Sequence, residues 1–218
     1  MKRLGISAYP LGIAAVAAVL FTAVPAVAQS SDAGQSSDSV TISAGGTDAA
    51  GRIAVNAAAG DFNQQANAVA IGESETVFLT NTIQQVLIGN SVCTLVDGEC
   101  TPNSTAQTAS ITGEAFAGAS GAIAVNGAAG VENQQANLAS FGIGDGIDSR
   151  VASLSLLSQV RGSQEPAGDP NVPAAEKTAN ISSQAFTDAS GLVQVNLTAG
   201  ERNSSANLFA LTITGGTD

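Results

Sequence analysis

Three segments of this 218-residue chain carry one pattern in one register. Gly51 opens "GRIAVNAAAGDFNQQANAVAIG", Gly121 opens "GAIAVNGAAGVENQQANLASFGI" and Gly191 opens "GLVQVNLTAGERNSSANLFALTI", each 70 residues after the last. No insertion or deletion interrupts a block: Val55-Asn56 returns as Val125-Asn126 and Val195-Asn196, and Gly60 as Gly130 and Gly200. Equal spacing held over two intervals is not a product of composition. It indicates equivalent structural units that stack on one another.

Within a block the pattern reads strand, turn, strand. Ile53 and Val55 alternate with smaller or polar neighbours, as do Ile123 with Val125 and Val193 with Val195. The Ala-Gly pair that follows ends the strand, glycine supplying the positive φ of a tight turn. A second strand is expected over 63–71, 133–143 and 203–213. Period two places Asn63, Gln65, Asn67, Val69 and Ile71 on one face, and Asn133, Gln135, Asn137, Phe141 and Ile143 on its counterpart. In the third block Asn203, Asn207, Phe209, Leu211 and Ile213 follow, with Ser205 in place of glutamine. Helix is the competing assignment, but Asn is a poor interior helix residue and the glycines leave too few turns. Strands precede the later blocks, "ASITGEAFAGASG" at 109–121 and "ANISSQAFTDASG" at 179–191, whereas "SVTISAGGTDAAG" in the first copy lacks the phenylalanine.

Strands stacked at about 4.8 Å let each side-chain amide donate to one copy and accept from the next. A buried amide is tolerated only where its equivalent recurs, because an unpaired one is costly. The fold class expected is all-β, a β-solenoid or cross-β-like stack of strand-turn-strand layers with flexible connections. Its stacking residues are Ile53, Val55, Asn56, Gly60, Asn63, Gln65 and Asn67, with Ile123, Val125, Asn126, Gly130, Asn133, Gln135 and Asn137, then Val193, Val195, Asn196, Gly200, Asn203 and Asn207.

Composition agrees with small residues stacking rather than with a bulky core. Beyond residue 28 the only aromatics are Phe62, Phe78, Phe116, Phe141, Phe186 and Phe209. Met1-Lys2-Arg3, the apolar run Leu11–Val24 and the small residues Ala26 and Ala28 predict a signal peptide cut after Ala28. Its loss leaves five basic against eighteen acidic residues, a net charge of −13. Nucleic acid is excluded as a partner by that charge. No later apolar run is long enough for a spanning helix, so the processed chain is not expected to be an integral membrane protein. Enzyme chemistry is disfavoured: the chain has no His, and the processed part has no Tyr. No phosphate-loop or dinucleotide signature is present, and no cofactor is expected. Asp145 and Asp148 in "GIGDGIDS" match no calcium-loop pattern and read as an acidic turn. Cys93 and Cys100 in "CTLVDGEC" are a candidate disulfide closing a hairpin with Asp97-Gly98 at its turn, permitted after export.

The organisation expected is a signal peptide at 1–28, a disordered leader at 29–40 and repeat 1 at 41–72. A connection with strands and the candidate disulfide follows at 73–110, then repeat 2 at 111–143, a partly flexible connection at 144–180 and repeat 3 at 181–218.

The pattern G-x-[IV]-x-V-N-x-x-A-G-x-x-N-x-x-x-N, preceded by "EAF" or "QAF" and extended by Gln-Gln in two copies, resembles the repeats of the Fap functional-amyloid subunits of Gram-negative bacteria. The resemblance implies a secreted structural subunit that travels through the periplasm and an outer-membrane export pore. Outside the cell it would self-associate, with related fibre subunits, into functional-amyloid fibres that support biofilm matrix and surface adhesion. It leaves major, minor and nucleating subunit open. The alternative is a non-polymerising β-solenoid adhesin or surface-displayed binding protein, which the same repeats would also build.

Overall fold

Alternating small apolar and polar residues make strands, and the computed structural model is built from strands alone among the described residues, 26–29, 37–43, 45–73, 77–89, 93–96, 99–102, 106–144, 150–161 and 176–215. Residues 1–25 of the expected signal peptide, Asp145 and Asp148 of the expected acidic turn, and the proline-rich stretch 162–175 lie outside them. Repeat 1 contributes β2 (Ser37–Ser43), β3 (Ala50–Ala59), β4 (Gln64–Glu73) and β5 (Phe78–Gly89), preceded by β1 (Ala26–Gln29). A hairpin of β6 (Cys93–Val96) and β7 (Glu99–Pro102) leads to repeat 2, formed by β8 (Ala106–Thr112), β9 (Ser120–Ala129), β10 (Gln134–Gly144) and β11 (Arg150–Arg161). Repeat 3 contributes β12 (Glu176–Ile181), β13 (Ser190–Ala199) and β14 (Ser204–Thr214).

Equivalent strands pair in parallel, with repeat 2 always between the other two. Three sheets result, β2-β8-β12, β3-β9-β13 and β4-β10-β14, with a two-stranded β5-β11. Asn56 faces Asn126 and Asn126 faces Asn196 along one ladder, while Asn67, Asn137 and Asn207 align on the next. Successive strands of a repeat fall in successive sheets, so the chain is a serpentine of stacked layers rather than a closed barrel. The first two sheets enclose the apolar core, with Val40, Ile42, Ile53, Val55, Ile111, Ile123 and Val125 all buried. The third sheet packs on the far face of the second, and the fourth on the far face of the third.

Burial follows position in the stack rather than sequence. Ile53 and Ile123 are each 1% exposed, Ile53 in an end strand that β1 contacts, but Val193, their equivalent in repeat 3, has no such strand beside it among the described residues and is 39% exposed. The phenylalanine missing from repeat 1 has a counterpart in space. Phe116 and Phe186 stack with centroids 5.0 Å apart, and the Phe116 ring lies over Gly46, where a Cβ would come within 2.7 Å of Cδ1.

Several sequence expectations change. The run 109–121 is not one strand: β8 ends at Thr112, an arc follows, and β9 begins at Ser120. Gly113 and Gly118 adopt φ values of 63° and 65°, which no strand can run through, and Phe116 and Phe186 sit in the same left-handed region at 61° and 60°. The leader is shorter than 29–40, since β2 starts at Ser37, drawn into the ladder by burial of Val40 and Ile42. The apolar half of the second-strand face is not core: Ile71, Ile143 and Ile213 are 71%, 45% and 52% exposed. Asn67 meets Val55 and Gln65 meets Ala57 across the two sheets, so Ile71 falls opposite Gly51, which offers no side chain to pack on. The strands expected in the 73–110 connection are present, and 144–180 holds one as well, both outside the core cluster. Residues 78–89 and 150–161 pair in register from Arg150 with Phe78 to Arg161 with Gly89.

β1 pairs antiparallel with the outer edge of β2, Ala28 opposite Val40. Cleavage after Ala28 would remove three of its four residues and open that edge. In the hairpin, Leu95 faces Cys100 and Cys93 faces Pro102, so the two cysteines are diagonal in the ladder. Their side chains, and the turn at Asp97-Gly98, lie outside the described residues.

Candidate functional site

The second and third sheets meet through amides instead of hydrocarbon. The even-numbered residues of β3, β9 and β13 and the odd-numbered residues of β4, β10 and β14 turn toward each other, which brings six asparagines into one buried seam. Asn126 Nδ2 donates to Asn56 Oδ1 at 2.9 Å and to Asn67 Oδ1 at 3.0 Å. One rung on, Asn196 Nδ2 donates to Asn126 Oδ1 at 3.0 Å and Asn137 Oδ1 at 3.1 Å. Along the facing strands Asn137 donates to Asn67, and Asn207 to Asn137, both at 2.9 Å. Within a rung Asn67 donates to Asn56, Asn137 to Asn126 and Asn207 to Asn196.

Backbone carbonyls fix which way these amides point. Five of the six Nδ2 groups also reach a main-chain oxygen of the opposite sheet: Asn67 to Val55, Asn137 to Val125, Asn207 to Val195, Asn126 to Ala66 and Asn196 to Ala136, at 2.9–3.1 Å. A flipped amide would set oxygen against oxygen. The seam therefore has one sense, with nitrogens toward repeat 1 and oxygens toward repeat 3. Its middle members Asn126 and Asn137 are fully buried and fully paired, as a buried amide must be.

A second column runs along the turns. Asn133 Nδ2 donates to Asn63 Oδ1 at 3.0 Å, and Asn203 Nδ2 to Asn133 Oδ1 at 2.9 Å. Asn63 and Asn133 also reach the carbonyls of Gly130 and Gly200 at 2.8 and 2.9 Å, tying each turn to the one above it. Those glycines take φ values of 90°, 114° and 123° at Gly60, Gly130 and Gly200, the positive φ expected of the turn. Gln65 and Gln135 form a column of opposite sense, Gln65 donating to Gln135 Oε1 at 2.8 Å. It stops at repeat 3, where Ser205 Oγ instead donates to Asn196 Oδ1 at 2.6 Å.

Sequence reasoning missed the first glutamine of each pair. Gln64 and Gln134 point to the other face, toward the fourth sheet, where they donate to Val86 O and Ser158 O, each at 3.1 Å. Period two applied to both residues of the Gln-Gln doublet gives this. Also missed was the pair of Glu132 and Arg202, 2.9 Å apart, which joins turns whose equivalent residue in repeat 1 is Phe62. No repetition of residue type marks it.

The glutamine ladder is unfinished. Gln134 Nε2 donates down to Gln64 Oε1 at 3.1 Å, but Gln134 Oε1 is buried without a partner, because the position above it is Ser204. Ser204→Gln supplies the absent donor and is expected to stabilise the fold by about 1 kcal/mol, raising the melting temperature by about 2–4 °C. Ser204→Glu, which cannot donate when ionised, should give no gain in the same melt. Equal melting temperatures for Ser204→Gln and the parent chain would refute the account of this oxygen.

Among the described residues no group of three or more His, Cys, Asp or Glu side chains is placed to hold a metal. The described part of the site is a stack of amides with open ends, suited to adding another rung.

Residues 21–214 match the model of the functional amyloid protein FapB/FapC family. Among curated proteins, the functional amyloid subunit FapC of Pseudomonas aeruginosa PAO1 is 40% identical over 92 residues, which is 41% of this chain and 26% of that protein. The matched stretch thus spans about a quarter of that relative's length. No solved structure matches.

Proposed function

The chain belongs to the functional amyloid protein FapB/FapC family, and from that premise we propose that it is a secreted structural subunit of extracellular functional-amyloid fibres. The observation that carries this reading is the amide seam, repeated in parallel register through three rungs, with no strand among the described residues paired to the outer edges of β3, β4, β13 or β14. Each molecule supplies a short length of cross-β with its own ladder already formed. Stacking molecules continues the ladder without a new kind of contact. The chain is a structural protein and not an enzyme. Related fibre subunits are its expected partners, an outer-membrane pore its route out, and biofilm matrix with surface adhesion its role. The family match supports self-association and the fibre role, the pore is an extension of that reading, and the choice between major, minor and nucleating subunit rests with assembly experiments.

Diffraction tests the reading. The processed chain, residues 29–218, concentrated and aligned, should give a meridional reflection near about 4.8 Å, together with fibrils in the electron microscope. Three rungs per molecule add a weaker meridional repeat near about 14 Å. A clear monomeric solution at every concentration would overturn the fibre reading and leave a finite adhesin-like stack.

A further inference from the structure

The two ends of the stack differ in chemistry. At the repeat-1 end Asn56 is exposed, and among the described residues its Nδ2 has no acceptor. At the repeat-3 end Asn207 donates downward to Asn137, Asn196 and Val195, and among the described residues its Oδ1 has no donor above it. One end of the seam therefore presents amide N–H groups and the other presents amide oxygens. The Gln65–Gln135 column runs the other way: Gln65 turns its nitrogen toward repeat 2, and Gln135 Nε2 passes on to Thr198 Oγ1 of repeat 3 at 3.0 Å, so with Ser205 in place of glutamine this column turns no amide nitrogen to the repeat-3 edge.

Charge follows the same polarity. Asp38, Gln107 and Lys177 occupy one position on successive rungs of the first sheet. A copy placed above repeat 3 in continued register would set its Asp38 beside Lys177, whose Nζ now lies 3.9 Å from Glu201 and is 44% exposed. Two repeat-1 ends brought together would instead set amide donors against donors.

Resting on the fibre reading, we propose that molecules join in one orientation only, the repeat-3 edge of one copy on the repeat-1 edge of the next, so that the fibre is polar. The occupant of each edge is a second copy of this chain. The contacts follow from the rungs already present. Asn56 Nδ2 donates to Asn196 and Asn207 of the adjoining copy, as Asn126 does to Asn56 and Asn67 within the chain. The interface is heterologous and does not close, which makes a filament rather than a dimer.

Backbone geometry shows how to block one edge at a time. Ser120 N–H donates to Ala49 O at 2.8 Å and Gly130 N–H to Ala59 O at 3.0 Å, so even-numbered N–H groups of β9 point to repeat 1. The equivalent N–H of Ala58 in β3 points out of the molecule. In β10, Gln134 N–H donates to Asn203 O at 2.7 Å, toward repeat 3, so the N–H of Ala206 in β14 leaves by the opposite edge. Proline at either place removes no ladder bond of the chain itself and obstructs the next rung.

Sedimentation of processed wild-type chain, Ala58→Pro and Ala206→Pro, alone and mixed, tests the proposal. The wild type should form fibrils, each variant alone should stay monomeric, and the equimolar mixture should stop at a heterodimer. Trace amounts added to growing wild-type fibrils should arrest one end with Ala58→Pro and the other with Ala206→Pro under atomic force microscopy, which an unfolded variant would not do. Ala54→Pro and Ala210→Pro repeat the test at the same two edges. Self-dimerisation of either variant, arrest of both ends by one of them, or failure of both mixed pairs beside a growing wild type would overturn the polarity alone. A wild type that never assembles would remove the fibre reading and this inference with it.

Discussion

Asn126→Ala is expected to destabilise the folded stack by about 3 kcal/mol, the largest loss from any single amide. The side chain is fully buried in the middle rung. It donates to Asn56, Asn67 and the Ala66 carbonyl, and accepts from Asn137 and Asn196. Alanine leaves the half-buried Ala66 carbonyl without this donor and the buried Asn196 Nδ2 with one acceptor fewer. The neighbours partly compensate, since Asn137 keeps Asn67 and the Val125 carbonyl. That compensation holds the figure near 3 rather than at the sum of five bonds. Asn126→Asp should be at least as harmful, because a carboxylate turns only acceptors toward the oxygens of Asn56 and Asn67. Asn180 on β12 is exposed, and Asn180→Ala should stay within about 0.5 kcal/mol of the parent. Guanidinium denaturation of the four proteins measures the series. Coincident midpoints for Asn126→Ala and Asn180→Ala would refute the seam as a source of stability.

The parts of this fold that repeat in letters were readable before the structure. Asn56, Asn63 and Asn67 recur at a fixed interval, and the interval reappears as ladder register. What did not repeat was obscure. β5 and β11 share no residue pattern and sit 72 apart rather than 70, because the intervening connection is two residues longer, yet they pair over twelve residues. The arc at 113–118 was hidden because phenylalanine rarely adopts a positive φ, so "EAFAGAS" reads as strand until Phe116 is seen stacked on Phe186. Burial was obscure for a different reason. Asn56 and Asn126 are the same residue in the same motif, one exposed and one at 0%, while Asn196, an end member like Asn56, is 4% exposed, so burial depends on what lies over each end as well as on the number of rungs. Sequence periodicity specifies a rung; the end of a stack is a property of how many rungs there are.

Gly130→Ala is expected to cost about 4 kcal/mol or more, because it combines a backbone penalty with a collision that has nowhere to go. The φ of +114° lies outside the left-handed well that L-residues can reach. A Cβ there would strike the carbonyl oxygen of Gly200 and come within 3.0 Å of Gln107 Cδ. The Gly200 carbonyl cannot retreat without loosening its 2.9 Å bond from Asn133 Nδ2 and the 2.9 Å bond from Gly200 N–H to Ala129 O. Gly51→Ala separates the two effects: φ is +102°, but nothing lies within 4 Å of the added carbon. It should cost about 1–3 kcal/mol, from strain alone. Gly200→Ala carries the argument from fold to fibre. In the single chain its Cβ meets only Lys177 Cδ at 3.3 Å and Asn203 Nδ2 at 3.4 Å, since no rung lies above. In a head-to-tail stack the next copy's Gly60 carbonyl takes the place that Gly200's holds over Gly130. Gly200→Ala should therefore cost the isolated fold no more than Gly51→Ala, while slowing elongation at least tenfold. Gly51→Ala should slow elongation too, because its Cβ would meet the carbonyl of the adjoining copy's Gly191 as one on Gly121 would meet that of Gly51. Elongation of Gly200→Ala at the parent rate would mean that the rung above repeat 3 is not a copy of repeat 1 in this register.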